Sequence, residues 1–222
     1  MKNARKRNMF LSIILLVTFA VWTLTVRVVD VQQIGPNKSS VGFATLNEFV
    51  HSITGVNFSL YILTDWLGLV PIGAAVSFAI LGLTQWIKRK SLLKVDKSLL
   101  SLGIFYLTVI AVYAFFELVI INYRPVLIKG CLEASYPSST TMLVLCVMPT
   151  AIMQLSTRVK NTTLKTCISS VTIVFIAFTV ICRILSGVHW ITDIIGGVLL
   201  SAGLVMTYCS LAFESNRGNK TK

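Results

Sequence analysis

The run Leu99–Ile121, LLSLGIFYLTVIAVYAFFELVII, contains a single charge, Glu117. Coiled as a helix it is long enough to cross a hydrocarbon layer, which takes about 20 predominantly apolar residues. Five more runs of this kind can be read along the chain: Met9–Val26, Leu60–Ile87, Thr140–Leu155, Cys167–Arg183 and Trp190–Phe213. Of the 222 residues, 55% are hydrophobic and 13% charged, a membrane composition rather than that of a soluble core. The predicted fold is therefore all-α: a polytopic bundle of six transmembrane helices forming one domain over residues 1–222.

A net charge of +12 invites a nucleic-acid reading, but the positions of the basic residues argue against it. With six spans, Lys2, Arg5, Lys6, Arg7, Lys88, Arg89, Lys90, Lys94, Lys97, Arg158, Lys160, Lys165, Arg217, Lys220 and Lys222 share one side, fifteen of the twenty. Arg27, Lys38, Arg124, Lys129 and Arg183 keep the other. The positive-inside bias then predicts both termini in the cytoplasm, with the excess charge against anionic lipid heads and no nucleic-acid partner. A bacterial plasma membrane is the expected location.

The basic N-terminus followed by an apolar stretch also fits a signal peptide. No small-residue cleavage site closes the run, however, and Val26-Arg-Val-Val-Asp30 follows it, so it reads as a retained first span. Between the first two spans, Val41–Ile53 sets Phe43, Leu46, Phe49, Val50 and Ile53 at helical spacing. This predicts an external amphipathic helix, lying in the interface or packed on the bundle. The five cysteines form no CxxC pair, and no Cys, His and carboxylate cluster has metal-ligand spacing, so no metal or cofactor is expected. Cys131 and Cys182 fall near the outer side, with pairing left open.

Three polar clusters emerge on that outer side: Asn122-Tyr-Arg-Pro125, Ser135-Tyr-Pro-Ser-Ser-Thr-Thr141 and Cys182-Arg-Ile-Leu-Ser-Gly-Val-His-Trp-Ile-Thr-Asp193. His189 and Asp193, four apart, would share one helix face, where a carboxylate can hold an imidazole tautomer and leave the second nitrogen free to attack. Arg183 precedes them across Ser186-Gly187, a sequence able to turn the chain. Arginine offers a planar fork of donors suited to phosphate, and so do the free amides of a helix N-terminus at Ser138 and Ser139. A Ser after Pro at a helix start is also an ordinary cap. Two arginines, a helix start and a nucleophile with its orienting carboxylate, all on one side, together describe phosphoryl transfer through a phosphohistidine.

At these residues the sequence resembles the type 2 phosphatidic acid phosphatases, the membrane branch of a superfamily shared with vanadium haloperoxidases. The family signature is Lys-x6-Arg-Pro, Pro-Ser-Gly-His and Ser-Arg-x5-His-x3-Asp. Arg124-Pro125 matches the first part, with Glu117 in the lysine position. Pro137-Ser138 matches the second, with Ser139 for glycine and Thr140 for histidine. Arg183, His189 and Asp193 match the third, with Cys182 for serine. The resemblance implies that His189 is the nucleophile and Asp193 its orienter, with Arg124, Ser138, Ser139 and Arg183 holding the phosphate.

The substitutions have chemical content. The family's second histidine protonates the leaving oxygen, and a threonine hydroxyl is too weak an acid to do so. A general acid contributes about a hundred- to ten-thousand-fold in rate, or roughly 3–5 kcal/mol of barrier. A phosphate leaving from a diphosphate needs that help less than an alkoxide does. The expected activity is a lipid phosphatase at the outer face, acting on a polyprenyl diphosphate or more slowly on a phosphatidate-type monoester. Glu133 and His51 are candidate substitute acids, and Glu117 is a span-end carboxylate with Arg124 as a candidate partner. Glu117 and Thr140 also admit a non-catalytic lipid-phosphate binder. No broken-helix pair in matching halves points to a transporter.

Overall fold

The computed structural model describes residues 2–215. Eight α-helices follow in order: α1 (Lys2–Val28), α2 (Ala44–Thr54), α3 (Phe58–Leu67), α4 (Leu69–Arg89), α5 (Lys97–Leu118), α6 (Ser139–Arg158), α7 (Thr162–Leu185) and α8 (Ile191–Ser215). Among the described residues β pairing is limited to isolated bridges. Among the described residues, six segments are long and apolar enough to cross a membrane: Asn3–Val28, Phe58–Arg89, Lys97–Leu118, Ser139–Arg158, Thr162–Leu185 and Ile191–Leu211. The chain is a multi-pass membrane protein with the expected all-helical architecture. Arg217, Lys220 and Lys222 lie outside the described residues.

The second span differs from the uniform run read from its hydropathy: it is two helices, α3 and α4, meeting at Gly68. Thr64 turns its hydroxyl back onto the carbonyls of Leu60 and Tyr61, at 3.0 and 2.8 Å, and so competes with the backbone ladder. Pro71 lies in the first turn of α4, where its missing N–H costs nothing but where it cannot continue a helix from α3. The break leaves α3 a separate strut packed on α7.

The core forms where α1 and α6 pack on α8. Lipid tails are as apolar as leucine, so helices in a membrane associate through close packing and interhelical hydrogen bonds. The α1–α8 seam uses both. Ser12 Oγ donates to the Gly203 carbonyl at 3.1 Å and lies 2.5 Å from Thr207 Oγ1. A methyl on Gly203 would stand 2.7 Å from the Leu16 side chain. Farther along, Phe19, Phe105, Tyr136, Met142, Leu200 and Tyr208 close the interior, while α4 turns Ile72, Val76, Ile80 and Leu83 outward.

At one end of the bundle, α2 docks through buried Asn47, whose Nδ2 donates to Thr192 Oγ1 at 3.0 Å and to the Gly42 carbonyl at 2.8 Å. Leu46, Phe49 and Ile53 remain exposed on its other face, as an interfacial helix requires. At the same end the α5–α6 connection folds back on itself. Arg124 N donates to Glu133 O at 3.1 Å and Ser135 N to Asn122 O at 2.9 Å, around a turn in which Lys129 and Gly130 have positive φ. The α7–α8 turn lies beside it, held by Asn57 N donating to Ser186 O at 2.9 Å. Gly187, with φ of +63°, presses so closely on the Gly55 carbonyl that any side chain would overlap it. All five cysteines are free, Cys131 exposed and Cys182 buried.

Candidate active site

The fold-back loop, the α7–α8 turn and α3 bring three sets of side chains to one point. His189 stands in the turn just before α8 and is almost completely buried. Its Nε2 lies 3.1 Å from Arg124 Nη1 and 3.2 Å from Arg183 Nη2. Its Nδ1 lies 3.1 Å from the Ser135 carbonyl oxygen and 2.9 Å from Ser135 Oγ. Guanidinium nitrogens can only donate and a carbonyl oxygen can only accept, so these partners assign the tautomer. Nδ1 carries the proton, and the Nε2 lone pair faces the two arginines. Burial, with the Arg124 and Arg183 charges next in importance, holds the imidazole well below the usual histidine range and therefore neutral at neutral pH.

Arg183, 1% exposed, is gripped from α3: its Nη1 donates to Thr64 Oγ1 and Asp65 Oδ1, both at 2.9 Å. The Tyr61 ring covers both cations, with its centroid 5.1 Å from Arg183 Cζ and 5.9 Å from Arg124 Cζ. Arg183 Nε is buried without a partner. Arg124 Nε lies 3.1 Å from Glu133 Oε2 but is not aligned for a hydrogen bond. Each arginine thus keeps a buried N–H without a hydrogen bond. The carboxylate paired with Arg124 is Glu133, not Glu117.

Asp193 differs from the sequence expectation in how it reaches the histidine. Its Oδ2 is 3.9 Å from Nδ1, beyond hydrogen-bond reach. The reason is local: α8 begins at Ile191, so His189 precedes the helix and the two residues do not share a helical face. Asp193 instead occupies the third position of α8 and reaches back to the Trp190 N–H at 3.0 Å, the acidic half of a capping box. Its Oδ2 also accepts from Ser135 Oγ at 2.5 Å and its Oδ1 from Asn122 Nδ2 at 3.2 Å.

Ser138 caps α6 by position but makes no side-chain cap bond. Its hydroxyl accepts from Thr141 Oγ1 at 3.0 Å, and its N–H donates to the Asp193 carbonyl at 3.1 Å. Ser139 borders a small cavity with His189, Ser135 and Glu117, whereas Thr140 does not border it. His51 packs its ring on Trp190, with centroids 5.5 Å apart. It faces His189 only across a crevice too small for water, an arrangement that fits a packing role rather than proton delivery. Among the described residues, no group of three or more His, Cys, Asp or Glu is placed to hold a metal ion.

Sequence reasoning named both arginines, His189 and Asp193, and these meet. It assigned no role to Ser135, Asn122, Tyr61, Thr64 or Asp65. For Asp65 a signal existed, since a carboxylate inside an apolar run marks a site by default.

Comparison with known proteins bears on the family and the fold. The PAP2 superfamily model matches residues 108–217, which contain all three polar clusters. A solved structure, a transmembrane PAP2-type phosphatidylglycerolphosphate phosphatase from Bacillus subtilis, is similar in fold with a TM-score of 0.58. The identity is 20%, over 95% of this chain and 97% of that one. No curated protein sequence matches.

Proposed function

We infer that this chain, which belongs to the PAP2 superfamily, hydrolyses a lipid phosphate or diphosphate at the outer face of the plasma membrane through a phosphohistidine at His189, with both termini cytoplasmic. The observation that carries this reading is the Nε2 lone pair aimed at two arginine donors. Substrate phosphoryl oxygens take over those donors, which frees the lone pair and neutralises developing charge. Nε2 then attacks phosphorus: the N–P bond forms, the P–O bond to the leaving oxygen breaks, and its electron pair departs with that oxygen. Water attacks the phosphohistidine in the second step, the N–P bond breaks, and inorganic phosphate leaves.

A lipid substrate is supported by a trough of about 520 Å³ beside the arginines, lined by Phe58, Tyr61, Ile62, Trp66, Leu69 and Ile128. Tyr61 and Asp65 border both trough and phosphate site, so one molecule can place a chain in the first and a phosphate in the second. The Ser138 hydroxyl, Ser139 and the first free amides of α6 extend the cradle, while the Ser138 N–H is held by the Asp193 carbonyl. Thr140 favours a diphosphate, whose leaving phosphate needs no strong acid.

Phosphate release from a panel of phosphatidate, phosphatidylglycerolphosphate and polyprenyl diphosphate in detergent tests the reading. Release is expected to be fastest from the diphosphate; faster release from phosphatidate contradicts the preference. One observation favours a second reading, a catalytically weak lipid-phosphate binder: the Glu117 carboxylate borders the same cavity as His189, where it opposes an anion. Tight lipid-phosphate binding with no release from any member of the panel selects that reading.

A further inference from the structure

We propose that Ser135 is the positioning residue through which Asp193 acts on His189, a role that deepens the phosphohistidine reading and rests on it. The hydrogen-bond inventory of three buried groups leads there. Asp193, fully buried, is surrounded by donors only: Asn122 Nδ2–H on Oδ1, and Trp190 N–H with the Ser135 hydroxyl on Oδ2. A serine hydroxyl has one proton. At 2.5 Å from a carboxylate oxygen, that proton is committed to Asp193. The lone pairs of Oγ are then what Nδ1 meets at 2.9 Å, and the Ser135 carbonyl is a second acceptor at 3.1 Å. The imidazole N–H is thus shared between two oxygens of one residue, and the carboxylate itself stays 3.9 Å away.

This arrangement places a polarised hydroxyl between a buried anion and the ring that becomes cationic. When Nε2 bonds to phosphorus, positive charge develops on the imidazole and the Nδ1–H bond strengthens its donation. Ser135 Oγ meets it with a lone pair made more basic by the bond to Asp193, the cooperativity of a hydrogen-bond chain. No proton has to move. The carbonyl alone would hold the tautomer, but the hydroxyl couples the carboxylate to the ring. Outer partners that orient a metal-bound histidine are worth about 10–100-fold, and a loss of the same order is expected for this nucleophile. Ser135 touches no phosphate ligand: its N–H is used by Asn122 O at 2.9 Å and its hydroxyl by Asp193 and His189.

The test is a double-mutant cycle on kcat and KM for the best substrate of the panel, with Ser135→Ala, Asp193→Ala and the double variant. Each single change is expected to lower kcat by about 10–100-fold with KM unchanged, and the double to be no worse than the worse single, because both remove one chain of interaction. Ser135→Thr, which keeps the hydroxyl, is expected to recover most of the rate. Wild-type kcat in Ser135→Ala, or losses that multiply in the double variant, overturns the proposal. If Ser135→Ala does not fold, Ser135→Cys, a weaker donor, must lower kcat in the same way. If the wild-type protein releases no phosphate, the catalytic reading fails on its own, and the proton resonance of His189 Nδ1–H still decides the relay. With His51→Gln used for assignment, that resonance is expected far downfield in the wild type and shifted upfield alike in Ser135→Ala and Asp193→Asn. An unchanged resonance in Ser135→Ala overturns the relay.

Discussion

Carboxylates and arginines meet at both ends of this bundle, and the two meetings differ in how deeply the arginines are buried. At the end bearing most of the basic residues, Asp96 joins three helices. It lies 3.0 Å from Arg89 on α4, accepts from Gln85 at 2.8 Å, and approaches Arg158 on α6 at 4.0 Å. The Arg89 and Asp96 side chains are 43% and 37% exposed. At the other end the Arg183 and Arg124 side chains are 2% and 9% exposed, although their partners Asp65 and Glu133 are 45% and 42% exposed, and the His189 and Asp193 side chains beside them are 1% and 0% exposed. Exposed ion pairs contribute about 0–1 kcal/mol each. Buried charges interact far more strongly but must all be partnered, since an orphaned one costs several kcal/mol. The first cluster therefore ties helix ends together, and the second leaves an arginine nitrogen unpaired in the interior, as the proposed phosphate site requires.

The largest difference is expected at Arg183. Arg183→Lys keeps the charge but loses the fork that spans Thr64, Asp65 and Nε2, and kcat/KM should fall by about 100–1,000-fold. A loss under a few-fold, measured by phosphate release, would mean that the two ends are more alike than their burial implies.

Next comes Thr140. Thr140→His places a proton donor in the first turn of α6 and, on the proposed function, should raise phosphatidate turnover by about 100-fold while changing diphosphate turnover less. An equal change on both substrates would show that leaving-group protonation does not set the preference.

A smaller effect concerns pH. Burial and the two arginines keep the His189 value well below the usual histidine range. Attack needs the neutral ring, so kcat/KM is retained above that value and lost as pH falls through it. Arg124→Gln removes one of the lowering charges, and the acidic limb of the residual kcat/KM profile should move to higher pH. A limb that stays in place would mean that Arg124 does not act electrostatically on the ring. The smallest effect is expected at the opposite end. Asp96→Asn should cost less than about 1 kcal/mol in a thermal or denaturant comparison and leave phosphate release unchanged.

How much of this was legible in the sequence follows from which signals are local. Hydropathy located all six spans because crossing a bilayer needs only length and apolarity, both local. It missed the break at Gly68, because backbone continuity depends on Thr64 and Pro71 rather than on mean apolarity. Arg124, Arg183 and His189 were legible because their chemistry narrows their uses. The Asp193 arrangement was not, because helical spacing was applied to residues that straddle the start of α8. Asp65 and Tyr61 reach the site only through the packing of α3 on α7, a contact made far from its own sequence neighbourhood. Ser135 lay in a stretch whose later hydroxyls were legible as a helix cap, and only the fold-back of the loop turns it toward His189.

The central claim is covalent chemistry at His189, and trapping tests it most directly. The protein is mixed with a lipid substrate carrying labelled phosphate, quenched into alkali within the first turnover, and its label mapped. The account predicts acid-labile, alkali-stable label on His189, absent from His189→Ala together with phosphate release. Phosphate release that persists in His189→Ala, or bound lipid phosphate that never labels the wild-type protein, would contradict it.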